Sequence, residues 1–148
     1  MMTTKTILTR VATSDDVQDL ARLNAKFNGS SDPPEYLAMR LADRFCVEQP
    51  LLAEVDGHVV GFAALRIVPC VFYADPHGEL TELFVEEPYR RQGVGRELLR
   101  LAEKIAKEKG VKELLILTDA SNQAAQTFYN SMDYEDGELA FKKELAKS

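Results

Sequence analysis

Residues 78–96 read Gly-Glu-Leu-Thr-Glu-Leu-Phe-Val-Glu-Glu-Pro-Tyr-Arg-Arg-Gln-Gly-Val-Gly-Arg. The first part, residues 80–85, is short, apolar and rich in β-prone side chains. A loop containing Pro88 then leads to Arg90-Arg91-Gln92-Gly93-Val94-Gly95, and a helical pattern starts at once. The order is strand, glycine-bearing loop, helix. A helix start carries unpaired N–H groups and the positive end of the macrodipole, and glycines there let the backbone approach an anion closely. Arg90, Arg91 and Arg96 add mobile positive charge at the same place, so the stretch points to a pyrophosphate ligand.

Two common pyrophosphate loops fit poorly. A P-loop closes with Gly-Lys-Ser/Thr, and no lysine follows Gly95 until Lys104. A dinucleotide fingerprint needs a third glycine where Leu98 stands, and sits near the start of its domain. Arg90-x-x-Gly93-x-Gly95 after an apolar strand instead resembles the acyl-coenzyme A loop of the GNAT superfamily of N-acetyltransferases. A second match follows downstream, Asn122-x-x-Ala125-x-x-Phe128-Tyr129, similar to that family's Asn-x-x-Ala-x-x-Phe/Leu-Tyr helix. The two motifs stand in the family's order, and the resemblance covers roughly residues 80–134. Asp133-Tyr134 departs from it, because the family often has Gly-Phe there.

The 148 residues suffice for one domain with its own core, read here as a single domain over 1–148. Hydrophobic content of 45% and charged content of 28% are near globular averages, which argues against disorder. No apolar run approaches the ~20 residues of a membrane span. The start, Met-Met-Thr-Thr-Lys-Thr, has no long apolar region behind it and does not read as a signal peptide. A cytoplasmic location is the expectation, with no membrane partner. The net charge of −6 argues against a nucleic-acid-coating surface and favours cationic partners. Cys46 and Cys70 lack metal-ligand spacing and read as free thiols, and no metal is expected.

Residues 5–11 read as a first strand. Thr13-Ser14-Asp15-Asp16 opens a helix through Val17, Leu20, Ala21, Asn24 and Phe27, and 28–34 break it. A second helix covers 35–45, with Tyr36, Met39, Leu41 and Ala42 inward. Residues 51–55, an Asp56-Gly57-His58 turn and 59–67 form a β-hairpin whose second arm extends toward Tyr73, bulged or placed at an edge by Pro69. The helix over 93–109 buries Val94, Leu98, Leu101, Ala102 and Ile105. Residues 113–118 are a strand, 122–132 a short helix and 138–145 a closing strand. This order, β-α-α-β-β-β-α-β-α-β, is that of the GNAT fold: an α/β domain of α+β type, with a mixed, mostly antiparallel twisted sheet and helices on both faces.

The resemblance implies a site. Acetyl-CoA would be the cosubstrate, its pantetheine arm lying beside Leu83, Phe84 and Val85. Residues 90–96, namely Arg90, Arg91, Gln92, Gly93, Val94, Gly95 and Arg96, would hold the diphosphate, the main-chain N–H groups from Gln92 onward chief among them. A lysine-like amine with a pKa near ~10.4 must lose a proton before it can attack. Glu82 is the first candidate base and Glu79 the second; each also reads as a solvated strand charge. Tyr129 stands where the family keeps its proton donor to the leaving thiol, or is a core aromatic. Asn122 contacts the pantetheine or caps its helix. His58 and His77 read as turn residues, and Glu86-Glu87 as a solvated loop entry.

Acceptor specificity would fall to residues 27–36, 72–77 and 134–138, where Asp32, Asp75, Glu135, Asp136 and Glu138 make the segments acidic. A cationic amine follows, as a small molecule or a peptide amine. Family habit would allow a homodimer. The rival readings are transfer of a longer acyl group or to a hydroxyl, a coenzyme-binding sensor with little turnover, and a phosphate- or nucleic-acid-binding module.

Overall fold

The computed structural model describes residues 5–146; the signal-peptide reading concerns residues 1–4 as well, which lie outside the described residues. The chain forms two compact units, residues 1–116 and 117–148. The first holds β1 (Ile7–Val11), α1 (Val17–Asn28), α2 (Pro34–Ala42), β2 (Glu48–Val55), β3 (His58–Val68), β4 (His77–Val85), α3 (Val94–Glu108) and β5 (Leu114–Ile116). The second holds α4 (Gln123–Ser131).

The five strands form one sheet in the order β1-β2-β3-β4-β5. The first three pairings are antiparallel and the last is parallel. Asp56 and Gly57 both take left-handed backbone, at φ 50° and 86°, as a two-residue turn between β2 and β3 requires. Leu20 and Leu23 of α1 join Leu52 and Phe62 in one core cluster against which Leu37, Leu41 and Phe84 pack. α3 covers the other face, since a Cβ on Gly61 would lie 3.3 Å from Leu98 Cδ1. Both faces of the central strands are therefore buried, so β3 reads as the continuous apolar run Val59 to Leu65 rather than as an alternation.

Several sequence expectations shift. α2 ends at Ala42, three residues short, and its inward residues are Leu37 and Leu41, while Met39 is 58% exposed. On α3 the buried stripe runs through Val94, Leu98, Leu99, Ala102 and Ala106, so Leu101 and Ile105 flank it. β3 stops at Val68, because Pro69 cannot donate to a ladder. No strand forms over 138–145: Leu139, Phe141 and Leu145 are 85%, 91% and 91% exposed. Alternation marks which face a strand would bury, but the segment finds no ladder partner among the described residues.

α1 is started from within the chain. Thr13 Oγ1 accepts from the Asp15 N–H and Asp16 Oδ2 accepts from the Thr13 N–H, closing a capping box over a 3-10 turn at Ser14–Asp16. Arg10 of β1 forks onto Asp16 at 2.7 and 2.8 Å and reaches Glu54 of β2 at 3.0 Å. That fork outweighs the burial of Asp16 and brings its carboxyl down to about 2. A carboxylate lowered on folding stabilises fully above its unfolded pKa and loses that contribution as pH falls through the folded one. Asp16→Asn is expected to cost about 1.5–3 kcal/mol at neutral pH. Urea unfolding at a series of pH values should show the gap between wild type and variant closing between about pH 4 and pH 2.

Candidate active site

β4 owes its role to two departures from a regular strand. Ala64 pairs with Glu82, but the next β3 residue, Leu65, pairs with Leu80, so β4 carries an extra residue at Thr81. Phe62, Ala64 and Arg66 alternate onto one face of β3, and their partners Phe84, Glu82 and Glu79 share it. Three residues apart in a regular strand, Glu79 and Glu82 would face opposite ways; the bulge brings both carboxylates to the face that carries α1. The second departure is at the edge. β5 pairs only with Gly78, Glu79 and Leu80 and ends at Ile116. From Thr81 to Val85, no strand among the described residues continues the ladder on that side. Glu86 N–H donates to Val60 O at 2.8 Å, so alternation turns the peptide groups of Leu83 and Val85 to the open edge and those of Phe84 toward β3.

The two candidate bases differ in their surroundings. Glu79 is 8% exposed and held by Arg66 at 2.6 Å, with His77 Nε2 at 3.7 Å. Its charge is already matched. Glu82 is half-buried and has no ion-pair partner among the described residues. Burial pushes its carboxyl above the usual range, a hydrogen bond from Asn28 opposes this, and the negative charge of Glu48 adds to it. Asn28 Nδ2 also donates to Asn24 Oδ1 at 2.7 Å, and Glu48 Oε1 accepts from Thr81 Oγ1 at 2.9 Å. Glu82 and Glu48 line a cavity of about 310 Å³ together with Asn24, Arg40 and Cys46.

After β4 the loop is pinned at its start. Glu86 is bound by Arg22 at 2.8 Å and by Lys26, both on α1. Burial works against its charge, yet these hydrogen bonds prevail and hold the carboxyl below its usual range. Glu86 is therefore an anchor, not a solvated entry residue; Glu87 remains exposed. A 3-10 turn at Glu87–Tyr89 follows, then two left-handed residues, Arg91 at φ 62° and Gly93 at φ 89°. At Gly93 only glycine takes that backbone without strain. Arg91 is a bulky residue there, the kind of local strain that gathers at ligand loops. Gly93 brings no side chain to cap α3, and Glu97 is the first residue to donate back, to Gly93 O at 3.1 Å. The N–H groups of Val94, Gly95 and Arg96 thus precede the first helical bond. Arg90 folds back, its Nε 2.8 Å from Val85 O and its guanidinium 5.6 Å from the Phe84 ring. Gln92 donates to Pro88 O at 3.0 Å. Arg91 and Arg96 have no ion-pair partner among the described residues.

In the second unit, Asn122 Oδ1 accepts from the Ala125 N–H at 3.0 Å and so caps α4. Tyr129 lies between Phe128 and Tyr134, at 5.3 and 6.0 Å, and burial pushes its phenol up. Asp133 takes φ 69° and Tyr134 N–H donates to Tyr129 O at 3.0 Å. The family's usual glycine is thus replaced by one of the residues that best tolerates left-handed backbone, and the turn forms. Of the acceptor segments, 27–36 supplies Asn28 to Glu82, while Phe72 and Tyr73 are 89% and 76% exposed. His58, read from sequence as a turn residue, is the exposed first residue of β3 and pairs with Val55.

Sequence reading missed Glu48, because it precedes the apolar run that marked β2, and placed Asn28 in an acceptor segment without a role beside Glu82.

Comparison with known proteins gives a consistent set. The model of the acetyltransferase (GNAT) family matches residues 15–134. An aminoalkylphosphonate N-acetyltransferase of Salmonella typhimurium is 33% identical over 94 residues, 64% of this chain and 61% of that protein. The matched stretches span less than two thirds of the length of such curated relatives. A solved structure from Agrobacterium tumefaciens, provisionally named an acetyltransferase, is 26% identical with a TM-score of 0.82 over 93% of this chain and 99% of that one. An aminoglycoside N-acetyltransferase solved in complex with CoA has a TM-score of 0.80 at 19% identity, over 96% and 97% of the two chains, and shows the shared fold.

A carboxyl raised on folding favours the protonated state, so its ionisation weakens the fold as pH rises from the unfolded pKa through the folded one. Glu82→Gln is therefore expected to raise the unfolding midpoint at pH 7, with the gain vanishing below about pH 4. In a carbon-13 NMR titration, Glu48→Gln should lower the Glu82 midpoint and Asn28→Ala should raise it. A Glu82 midpoint at the model-peptide value would refute the account.

Proposed function

The chain belongs to the acetyltransferase (GNAT) family, and from that premise we propose that it is an N-acetyltransferase, moving an acetyl group from acetyl-CoA directly to the primary amine of a cationic acceptor. The observation that carries this reading is the course of β4. Its outer edge is open at Leu83 and Val85, where an extended arm with amide groups can add to the sheet. It then runs without a break into the left-handed loop and the start of α3, whose N–H groups suit a diphosphate. Arg91 and Arg96 supply charge there, while Arg90 and Gln92 brace the loop.

Glu82 is the base in this reading. A protonated amine has no lone pair to attack with, and a half-buried carboxylate of raised pKa accepts its proton better than a solvated one. Glu79, locked to Arg66, is placed to hold Arg66 and His77 instead. The thioester brings the acyl group and a thiol leaving group. Tyr129 is assigned the proton donor to that thiol by the family motif it completes, and Asn122 shapes the turn that starts its helix.

Acetyl-CoA at about a hundredfold excess over its dissociation constant is expected to stabilise the protein by about 2.7 kcal/mol, a rise of roughly 5–10 °C in midpoint. Gly93→Ala should lose about 1–2 kcal/mol of stability and most of that ligand-induced rise. Absence of any rise in a folded, saturated sample would refute the coenzyme site. Glu82→Gln and Tyr129→Phe should each lower turnover by about 10²–10⁴-fold, and the Glu82→Gln rate should partly recover at high pH.

A further inference from the structure

Resting on the acetyltransferase reading, we propose that the acceptor is a primary amine carried on one compact apolar group, such as a phenylethyl or branched alkyl chain. It would seat its hydrocarbon part in the cavity beside Glu82. The argument starts from the walls. Leu20 of α1, Leu37 and Leu41 of α2, Pro50 of β2 and Phe62 of β3 line that cavity, and Ala64, the register partner of Glu82, opens it by its small size. At about 310 Å³ it stands at the lower end of ligand pockets, which run from about 300 to 1,000 Å³. That is room for one ring or one branched chain with its amine.

The polar groups of the cavity set a second limit, since several are already engaged. Asn24 Oδ1 accepts from Asn28, Glu48 Oε1 accepts from Thr81, and Arg40 donates to Tyr36 OH at 2.9 and 3.1 Å with its guanidinium over that ring. A polyhydroxylated acceptor would exchange water for leucine and phenylalanine walls with few partners for its hydroxyls. Charge sets a third. Two carboxylates, Glu48 and Glu82, face the cavity, and Arg40, the one cation among its described lining residues, is turned onto Tyr36. An acceptor with an anionic substituent would meet like charge, whereas an ammonium is attracted to Glu82, where its proton has to go.

The test follows thiol release from acetyl-CoA with 2-phenylethylamine, ethylamine, spermidine, an aminoglycoside, 2-aminoethylphosphonate and a short peptide as acceptors. The kcat/KM for 2-phenylethylamine should exceed that for ethylamine by about 100-fold or more, because each methylene-sized apolar contact discriminates by about 10–200-fold. It should also lead the rest of the panel. Leu37→Asn should narrow the gap between 2-phenylethylamine and ethylamine by raising the KM of the former, and a retained thermal shift with acetyl-CoA will show that the variant is folded. Preference for spermidine, the aminoglycoside, the phosphonate or the peptide overturns this inference and leaves the acetyltransferase reading standing. Acetyl-CoA binding with no amine in the panel acetylated overturns the acetyltransferase reading itself.

Discussion

Three residues of parallel pairing, Gly78 to Leu80 against Leu114 to Ile116, tie β5 to the sheet, and everything the site offers begins where that pairing stops. Had β5 continued beside Thr81 to Val85, the peptide groups of Leu83 and Val85 would have been consumed by a strand. Instead β4 is clamped by β3 on one side and open on the other, a mixed state that sheets normally cover. An edge without a strand partner is tolerable here because the run is short and because Arg90 already covers one carbonyl, that of Val85. The same open edge is what a strand-like ligand requires.

The bulge at Thr81 couples this edge to the chemistry. One inserted residue re-aims the first half of β4, so that a paired carboxylate, Glu79, and an unpaired one, Glu82, stand on one face with different neighbours. Glu79 is paired with Arg66. Glu82 sits between a donor that favours its ionised form and a carboxylate that disfavours it, Asn28 and Glu48, with burial tipping the balance. These opposed contacts leave a carboxyl of raised pKa at some expense to the stability of the unliganded fold, which suits the proton uptake proposed for Glu82 and is a trade common where sites depart from the rules that stabilise a core.

Much of the fold was legible because local signals agreed with tertiary demand. The capping box at Thr13, the Asp56-Gly57 turn and the Gly93 helix start each have one physical reading, and the structure uses each that way. The misses have physical causes as well. The α3 stripe was drawn through Leu101 and Ile105, but the strands beneath accept small Ala106 and Leu99 instead, a matter of packing that periodicity does not resolve. Residues 138–145 alternate as a strand should, yet a strand exists only where a neighbour offers its ladder.

By itself the sequence determined the order of elements as far as α4, the glycine loop before α3, the Asn122 and Tyr129 motif and the acidic candidates, since these depend on near neighbours along the chain. Only the tertiary structure decided which carboxylate is paired, which peptide groups of β4 are left at an edge and what lines the cavity beside Glu82. Each of those depends on register between strands distant in sequence, where one extra residue at Thr81 changes every facing beyond it. Arg66, Asn28 and Glu48 lie 13, 54 and 34 positions from the carboxylates they act on, Glu79 for the first and Glu82 for the others, and no local pattern announces such a meeting.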